Sequence, residues 1–529
     1  MNKPLRNPDK EEFGTMLKYI FFPTTRDVWR SLAVRLNERG VASPVIWLGH
    51  RHHDDFARES FKDCNVINFN DVNKGAAAIE VGSEYGTREA LEMLREPWFA
   101  GFKDQVIRMF DRKDYFGAFR TVDREAIFYQ LVFNFHSLIA KESPDFLLMA
   151  ESPHSAATLI IYRICEHLNI PIICFMSCSV APALFIKGGI DKPLIKTAAN
   201  ENQDLFRKLA NQAIDGMIKN FSTDTQKPKP PRYMLNQHRK ERARQFGRPL
   251  RMFREVIRGL LSPLLPDSMR ARTYQAFHGF SAFGNNPGPM SEILKFVTEI
   301  KSQRMLIQSY AERSIAEADF PSKYVFFPLH YEPERTSNPD GGEWNNQYHA
   351  LARLRQLLPD DVAIVVKEHP SQFGSVLQGF RGRSRLFYEA ISALKHTVLA
   401  QIDIPSWKIQ QSALFTCTIT GTAALEAAIA GKPVLLMGHP WFQGCPGITQ
   451  ISESIVIEDI LKNTATIDAV RSFLYNLIDE HSIFGVVNPS NEKYFSKWFE
   501  DEESRKIEED GIEEFTLLAI NYLVADQHG

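Results

Sequence analysis

The sequence lacks most of the features that usually assign a function directly. Only six of its 529 residues are cysteines, and no two of them form a CxxC pair. A disulfide framework or zinc-finger pattern is therefore absent, and we expect buried thiols in a reducing compartment. No apolar run approaches the roughly 18 residues of a transmembrane helix, and the start MNKPLRNPDKEEF has no signal-peptide core. We therefore expect a cytoplasmic protein.

A large excess of charge of one sign is also missing. The formal net charge is -2, which argues against a surface built for nucleic acid. The chain has no P-loop, no GxGxxG after its first strand and no GxSxG elbow, so the commonest kinase, NTPase, dehydrogenase and hydrolase patterns are excluded. The string HRHHDD at 50–55 contains the HxHxD of binuclear metallohydrolases, but Asp55 stands where that pattern needs another histidine. We expect no metal there and assign His52 to a polar loop that contacts an acceptor.

Short apolar strands alternate with helical segments in two parts of the chain. The expected strands lie at 17–22, 44–48, 146–150 and 170–176 in the first part, and at 324–329, 362–367, 397–401, 414–419 and 433–437 in the second. This alternation is typical of parallel sheets covered on both faces. It predicts two Rossmann-like α/β domains with a helical insertion between them.

The predicted boundaries follow from where this alternation stops. They are 1–221 for the N-terminal domain, 222–320 for a basic helical linker, 321–485 for the C-terminal domain and 486–529 for helices that brace the N-terminal domain. We also expect helices near 124–142 and 155–168, a loop over 177–195, and terminal helices at 465–481 and 490–525.

Arginines are dense between residues 239 and 272, and apolar residues from Phe246 to Leu264 recur there at helical spacing. A basic amphipathic helix is therefore expected. It would either contact an anionic membrane as a peripheral anchor or pack its apolar face on its own domain.

Polar residues follow three strands of the second part, where parallel strands bring ligands together at their carboxyl ends. Lys367-Glu368-His369-Pro370 comes after the strand 362–367, and Thr420-Gly421-Thr422-Ala423 joins the strand 414–419 to a helix that contains Glu426. The third polar stretch follows the strand 324–329. A histidine and a glycine-containing helix start are both suited to phosphate, although a simple helix cap explains part of the second motif.

Two further polar stretches supply carboxylates. The loop LHYEPERTSNPDGGEW contains His330, Glu332, Glu334 and Asp340, which are either catalytic groups or a solvated, salt-bridged turn. In the first part, the stretch from Glu151 to His154 follows an apolar strand, and a carboxylate there could take a proton from an acceptor hydroxyl. A Ser155 helix cap accounts for part of that stretch without chemistry.

The second half resembles bacterial capsule and lipopolysaccharide glycosyltransferases, among them the β-Kdo transferases, in its motifs KxHP and TGTxxxEAxxxGKPVxxxG. The matching residues are Lys367, His369, Pro370, Thr420, Gly421, Thr422, Glu426, Gly431, Lys432, Pro433 and Gly438. The resemblance covers about 324–450 well, the first domain only loosely at 151–154, and 222–320 not at all. It implies a GT-B fold, with two Rossmann-like domains facing each other across a cleft.

The resemblance implies that a sugar moves from a nucleotide donor, with CMP-Kdo favoured, to a growing bacterial surface polysaccharide or glycolipid. No metal or cofactor is implied. The donor would be held by His330, Lys367, His369, Pro370, Thr420, Gly421, Thr422, Ala423 and Glu426, and the acceptor side would include His52 and His154. The catalytic candidates are Glu151, Glu332, Glu334 and Asp340, from which the motifs select no single nucleophile.

Two other functions remain open at this point. UDP-N-acetylglucosamine 2-epimerases share the two-domain scaffold and a similar helix start, so the protein is alternatively an isomerase. The second alternative is a non-catalytic partner in capsule assembly or export.

Overall fold

The computed structural model describes residues 15–72, 87–112, 120–197, 204–222, 289–333, 337–374 and 379–525, together with the single residues 228, 253 and 257. The chain divides into two compact units. The first unit comprises Met1–Phe110, Thr121–Met217 and Arg471–Gly529, and the second comprises Asp111–Arg120 and Ile218–Val470. Each unit contains a seven-stranded sheet within the described residues. The predicted pair of Rossmann-like α/β units is thereby confirmed.

The first unit is built on a mainly parallel sheet. Numbered along the chain, its strands are β1 (Leu17–Phe22), β2 (Ala42–Gly49), β3 (Asn65–Asn68), β4 (Phe146–Met149), β5 (Ile172–Ser177), β6 (Ala183–Lys187) and β14 (Ile483–Phe484). The spatial order is β14-β6-β5-β4-β1-β2-β3. The five strands β5, β4, β1, β2 and β3 are parallel, whereas β6 pairs antiparallel with both β5 and β14.

Helices cover this sheet on both sides. They are α1 (Asp27–Glu38), α2 (Arg51–Ser60), α3 (Phe69–Val72), α4 (Thr87–Met93), α5 (Phe99–Met109), α6 (Thr121–Glu142), α7 (Ala156–His167), α8 (Asp204–Phe221), and, from the C-terminal part, α16 (Pro489–Tyr494) and α17 (Glu502–Ile520). Helix α17 is tied to α1 by ion pairs, including Arg35 to Glu509 at 3.0 Å and to Asp510 at 2.7 Å. The C-terminal helices thus pack on the first unit.

The second unit has an all-parallel sheet. Its strands are β7 (Ser314–Ile315), β8 (Tyr324–Pro328), β9 (Ala363–Lys367), β10 (Thr397–Ala400), β11 (Thr416–Thr418), β12 (Val434–Leu436) and β13 (Ile448–Gln450), in the order β13-β12-β11-β8-β9-β10-β7. In β8, Val325 and Phe327 enter one apolar cluster while Tyr324 and Phe326 enter another on the opposite face. Burial on both faces explains why these strands read as continuous apolar runs.

The helices of the second unit connect its strands along the chain or flank them at either end. They are α9 (Pro289–Ala311), α10 (Gln347–Leu357), α11 (Arg385–Ala393), α12 (Ser406–Ser412), α13 (Ala423–Ile429), α14 (Ile457–Lys462) and α15 (Ile467–His481), the last of which continues into the first unit. Helix α10 begins at an Asn346 cap, whose side-chain oxygen accepts from the Tyr348 amide at 3.0 Å. The described residues 329–333 and 337–346 precede α10, and 368–374 and 379–384 precede α11.

Two local predictions are wrong, and the sequence does not predict one further strand. The expected loop 177–195 contains β6, and the expected helix 490–525 is two helices, α16 and α17, separated near Phe495. A short strand, β14, precedes them and extends the first sheet. Strand β14 has only two residues and pairs with β6 far earlier in the chain, so local periodicity could not show it, whereas β6 pairs antiparallel with β5, its neighbour in the chain.

The basic segment 239–272 lies outside the described residues, except for Phe253 and Ile257. Among the helices that are described, none is both long and apolar enough to cross a bilayer.

Candidate functional site

The carboxyl ends of four neighbouring strands of the second unit form the candidate site. Strands β12, β11, β8 and β9 are adjacent and parallel, so the residues that follow them lie along one edge of the sheet. These residues are His439 after β12, Thr420 and Gly421 after β11, His330 and Glu332 after β8, and Glu368 and His369 after β9. Ligands of parallel sheets bind at this edge.

His330 organises the turn after β11. Its Nε2 atom lies 3.2 Å from Thr418 Oγ1 and accepts a hydrogen bond from the Thr420 amide at 3.4 Å. The Gly421 amide in turn donates to Thr418 Oγ1 at 3.3 Å. Burial, with His369 and Arg383 nearby, lowers the pKa of His330 to about 3. The ring is therefore neutral and acts as an acceptor that holds the turn.

The predicted phosphate turn, Thr420 to Ala423, leads directly into α13. Thr422 is the residue before the helix, and its side chain makes no capping hydrogen bond, so a helix cap does not explain Thr422. The Thr422 hydroxyl instead donates to Glu426 Oε1 at 3.5 Å. Burial raises the pKa of Glu426 to about 7. Glu426 thus exchanges its proton near neutral pH, at the position predicted to contact the donor.

Glycines allow the loops after β8, β11 and β12 to pack backbone against backbone. A Cβ atom on Gly438 would lie 2.7 Å from Thr420 Cγ2, 2.9 Å from the Asp340 carbonyl oxygen and 2.9 Å from Gly341 Cα. The His439 amide donates to that same Asp340 carbonyl at 2.9 Å. The position of Asp340 relative to the Thr420 turn therefore depends on a residue without a side chain at 438.

Replacing Gly438 by alanine should destabilise the protein by about 1–3 kcal/mol, because backbone atoms must move to admit the methyl group. Thermal unfolding measures this change. Gly216 in α8 is the matched control, since a Cβ there would meet nothing within 4 Å, and alanine should leave the protein as stable or slightly more stable. Equal unfolding temperatures for the two variants would contradict the close packing.

The imidazole ring of His369 is held in one orientation and is uncharged. Pro370 begins a short 3₁₀ turn, Pro370–Phe373, and the His369 Nδ1 atom caps it by accepting from the Ser371 amide at 3.2 Å. Because Nδ1 accepts, the ring proton is on Nε2. Burial, with Lys367 and Arg383, lowers the pKa of His369 to about 4. The residue is therefore a neutral Nε2–H donor at the end of β9.

Lys367, the last residue of β9, is only 4% exposed. Its Nζ lies 3.5 Å from Ser406 Oγ at the start of α12. Burial lowers the pKa of this amine to about 8. Lys367 therefore remains largely protonated at neutral pH, and a bound anion would stabilise that charge.

Glu368 anchors the His369 loop through a buried ion pair. One of its oxygens, Oε2, accepts from Arg383 Nε at 3.0 Å and from the Tyr388 hydroxyl at 2.8 Å, while Oε1 accepts from the His369 amide at 2.8 Å. Arg383 also donates to the His330 carbonyl at 2.8 Å. The pair is almost completely buried, with side-chain exposures of 3% for Arg383 and 0% for Glu368. It joins the two histidine-bearing loops.

The predicted carboxylates after β8 have different surroundings. Glu332 Oε1 accepts from Ser337 Oγ at 2.9 Å and from Gln347 Nε2 at 3.0 Å, so the carboxylate is held in one orientation. Asp340 lies in the loop that contacts Gly438 and His439 through its backbone. Glu334 lies outside the described residues.

The first unit carries its own polar cluster at the carboxyl end of β4. Glu151 is buried, and its Oε1 lies 3.3 Å from His154 Nε2. Ser155 caps α7 in a capping box with Thr158. The side chain of His52 lies outside the described part of the chain, although its backbone belongs to α2. Among the described residues, no group of three or more His, Cys, Asp or Glu side chains could hold a metal ion.

Several residues of this site were not selected from the sequence. His439-Pro440 follows β12 just as His369-Pro370 follows β9, and this repeated pattern could have indicated His439. Arg383 and Gln347 gave no comparable signal, and neither did Asn488 of the first unit, whose amide donates to Glu151 at 3.3 Å. They come from loops and helix starts whose place next to a strand end depends on the folded chain.

The comparisons with known proteins support the resemblance that the KxHP and TGT motifs indicated. Residues 295–475 match the family model of capsule polysaccharide biosynthesis proteins. The matched segment includes His330, the Glu368–Arg383 pair, His369 and the Thr420 turn. No curated protein sequence matches the chain.

Two solved structures are among those that match this chain. Thermosulfurimonas dismutans KpsC, a beta Kdo 2,7 transferase, is 14% identical over 65% of this chain and 89% of that chain, with a TM-score of 0.24. The UDP-GlcNAc 2-epimerase from Methanocaldococcus jannaschii is 12% identical over 91% of this chain and 100% of that chain, with a TM-score of 0.21. Similarities of this size do not carry an activity to this chain.

Proposed function

We propose that the protein is a glycosyltransferase that moves Kdo or a related acid sugar from a CMP-sugar to a bacterial surface polysaccharide or glycolipid. The observation that carries this proposal is the neutral His369 donor at the end of β9, within a segment that matches the capsule polysaccharide family model. A neutral N–H donor can bind a phosphate oxygen at any pH near neutrality, because its pKa is far below that range.

The residues of the second unit would divide the donor between them. His369 Nε2–H and the protonated Lys367 would face the donor phosphate, together with the turn from Thr420 to Ala423. Glu426 would accept from a ribose hydroxyl when it is ionised. These roles follow from charge and hydrogen-bonding capacity, since Lys367 is a cation, His369 is a neutral donor and Glu426 is a carboxylate that titrates near pH 7.

We assign the sugar chemistry to carboxylates. Glu332, held by Ser337 and Gln347, and Asp340 are the described candidates for the group that stabilises or attacks the anomeric carbon. Glu334 remains a candidate from the sequence. Glu151 of the first unit is assigned to the acceptor hydroxyl, with His154 beside it. In this proposal no bound metal is required.

We propose a cytoplasmic protein whose basic segment 239–272 contacts the inner membrane peripherally, because its arginines recur beside apolar residues at helical spacing. Anionic headgroups attract such segments.

A thermal-shift screen with CMP, UDP, GDP and dTDP tests the proposed donor. Ligand at a hundredfold excess over its dissociation constant stabilises the folded state by about 2.7 kcal/mol, so a binding nucleotide should raise the unfolding temperature. We expect a response to CMP. A response to UDP alone would reject the CMP-sugar, and epimerisation of a UDP-sugar without transfer would favour the isomerase alternative.

A further inference from the structure

Glu151, His154 and Asn488 form a hydrogen-bonded cluster whose proton positions can be worked out from the geometry. His154 Nδ1 lies 3.1 Å from the Ser152 carbonyl oxygen, which can only accept, so Nδ1 carries a proton. The other ring nitrogen, Nε2, lies 3.3 Å from Glu151 Oε1. In a neutral ring with the proton on Nδ1, Nε2 presents a lone pair to the carboxylate.

Two lone pairs at this distance repel each other, so the pair gains stability when one additional proton lies between them. That proton belongs to the pair and not to either residue. It gives either an imidazolium beside a carboxylate or a neutral imidazole beside a carboxylic acid. Both forms have the same number of protons and no net charge. The pair therefore binds this proton more tightly than an isolated carboxylate, whose pKa is about 4.3.

Asn488 fixes the second oxygen of Glu151. Its side-chain oxygen accepts from the Ser490 and Asn491 amides, both at 3.1 Å, because it caps α16. The amide nitrogen must therefore be the atom on the Glu151 side, where Nδ2 donates to Oε2 at 3.3 Å. The orientation of this amide is set by the cap.

Hydrogen bonds from α1 and from the residues before it hold the segment that carries Asn488. The Val487 carbonyl accepts from Thr24 Oγ1 at 2.6 Å and from Trp29 Nε1 at 2.9 Å, and the Val486 carbonyl accepts from Arg26 at 2.8 Å. Arg26 is paired with Glu508 and Glu492, and Arg505 lies 3.6 Å from Glu492. Asn488 is therefore part of a rigid support.

We propose that Glu151 and His154 act as one base toward the acceptor hydroxyl, and that Asn488 is the positioning residue for this base. The inference rests on the proposed transferase function. In the step, the pair without its shared proton takes the hydroxyl proton. The hydroxyl oxygen then forms its bond to the anomeric carbon while the bond to the leaving group breaks, and the leaving group keeps the electron pair.

The coupling makes the carboxylate a stronger base than an isolated glutamate. A proton acceptor is most effective when its pKa is near the working pH, and an isolated glutamate is well below it. After the step the pair holds the proton in its favoured, uncharged form, and it releases the proton to water before the next turnover.

Nitrogen NMR of histidine-labelled full-length protein tests the coupling without any need for transfer activity. The His154 signal is identified by its loss in His154→Gln. In Glu151→Gln the pKa of His154 should fall by about one unit or more, because an opposite charge within hydrogen-bonding distance typically shifts a pKa by 1–3 units. An unchanged His154 titration in Glu151→Gln would overturn the shared proton.

The transfer reaction tests the base role. The pH profile of kcat/KM should rise with the pKa of the pair, and in His154→Gln this rise should move to lower pH by about one unit or more. A profile that does not move would overturn the base role. If NMR shows the coupling while no donor supports transfer, the shared proton stands and the base role falls together with the proposed function.

Asn488→Ser separates positioning from capping. Serine is a good helix cap but lacks the amide that donates to Glu151, so kcat should fall about tenfold while the donor KM stays unchanged. Asp501→Ser is the matched control, because Asp501 caps α17 in the same unit by accepting from the Ser504 amide and has no part in the Glu151 cluster. Equal kcat values for the two variants would overturn the positioning role.

Discussion

Replacing Arg383 by methionine should lower the free energy of unfolding of the second unit by about 3–5 kcal/mol. The substitution leaves Glu368 buried without its cation, and it also removes the donor to the His330 carbonyl. Burial raises the pKa of Tyr388, so its hydroxyl remains a donor to Glu368, but one neutral hydrogen bond does not replace a guanidinium. Urea unfolding measures the loss.

Arg385→Met is the matched control for this experiment. Arg385 lies two residues after Arg383 and pairs with Glu389 at 2.6 Å, but the Arg385 side chain is 65% exposed. Exposed pairs contribute at most about 1 kcal/mol. A further variant, Arg383→Met with Glu368→Leu, should recover part of the loss because no buried charge remains. If Arg383→Met costs no more than Arg385→Met, the pair does not support the loops.

His369→Ala should weaken binding of the donor nucleotide by roughly tenfold to a hundredfold. A hydrogen bond to a charged phosphate contributes about 1.5–3 kcal/mol, and alanine removes the Nε2–H that supplies it. Isothermal titration with CMP measures the loss. Because His369 is neutral throughout, the ratio of the two affinities should stay constant between about pH 5.5 and about pH 8.

His349→Ala provides the control for the loss of a histidine. His349 lies on α10 of the same unit and is exposed to solvent. Its removal should leave CMP affinity unchanged. Equal CMP affinity for His369→Ala and the unmodified protein, with both proteins folded, would reject the assignment of His369 to the phosphate.

His330 and His369 are both neutral, but their ring nitrogens make different hydrogen bonds at the edge of the second sheet. The Nε2 atom of His330 accepts from the Thr420 amide. The Nδ1 atom of His369 accepts from the Ser371 amide, so the Nε2–H of His369 remains a donor. The two rings therefore differ in what they can offer a ligand. His330 shapes the turn that was predicted to hold phosphate, and His369 is the ring with a donor to contribute.

The sequence by itself determined the α/β class, the strands around 324–437 and the residues that follow them. Apolar runs such as YVFF and AIVV require burial on both faces, and this condition predicts parallel strands without knowledge of the rest of the chain. The polar residues after these runs then necessarily share one edge of the sheet. For that reason Lys367, His369 and Thr420 could be selected from their positions alone.

Only the tertiary structure decided how those residues are supported and charged. Arg383 lies 15 residues from Glu368, and Asn488 lies 337 residues from Glu151. No periodicity relates such partners, since their contact depends on how helices return to the sheet. The pKa values of His330, Lys367, His369 and Glu426 depend on burial, which a local pattern of residue types does not contain. The sequence thus selected the groups, and packing determined their protonation and orientation.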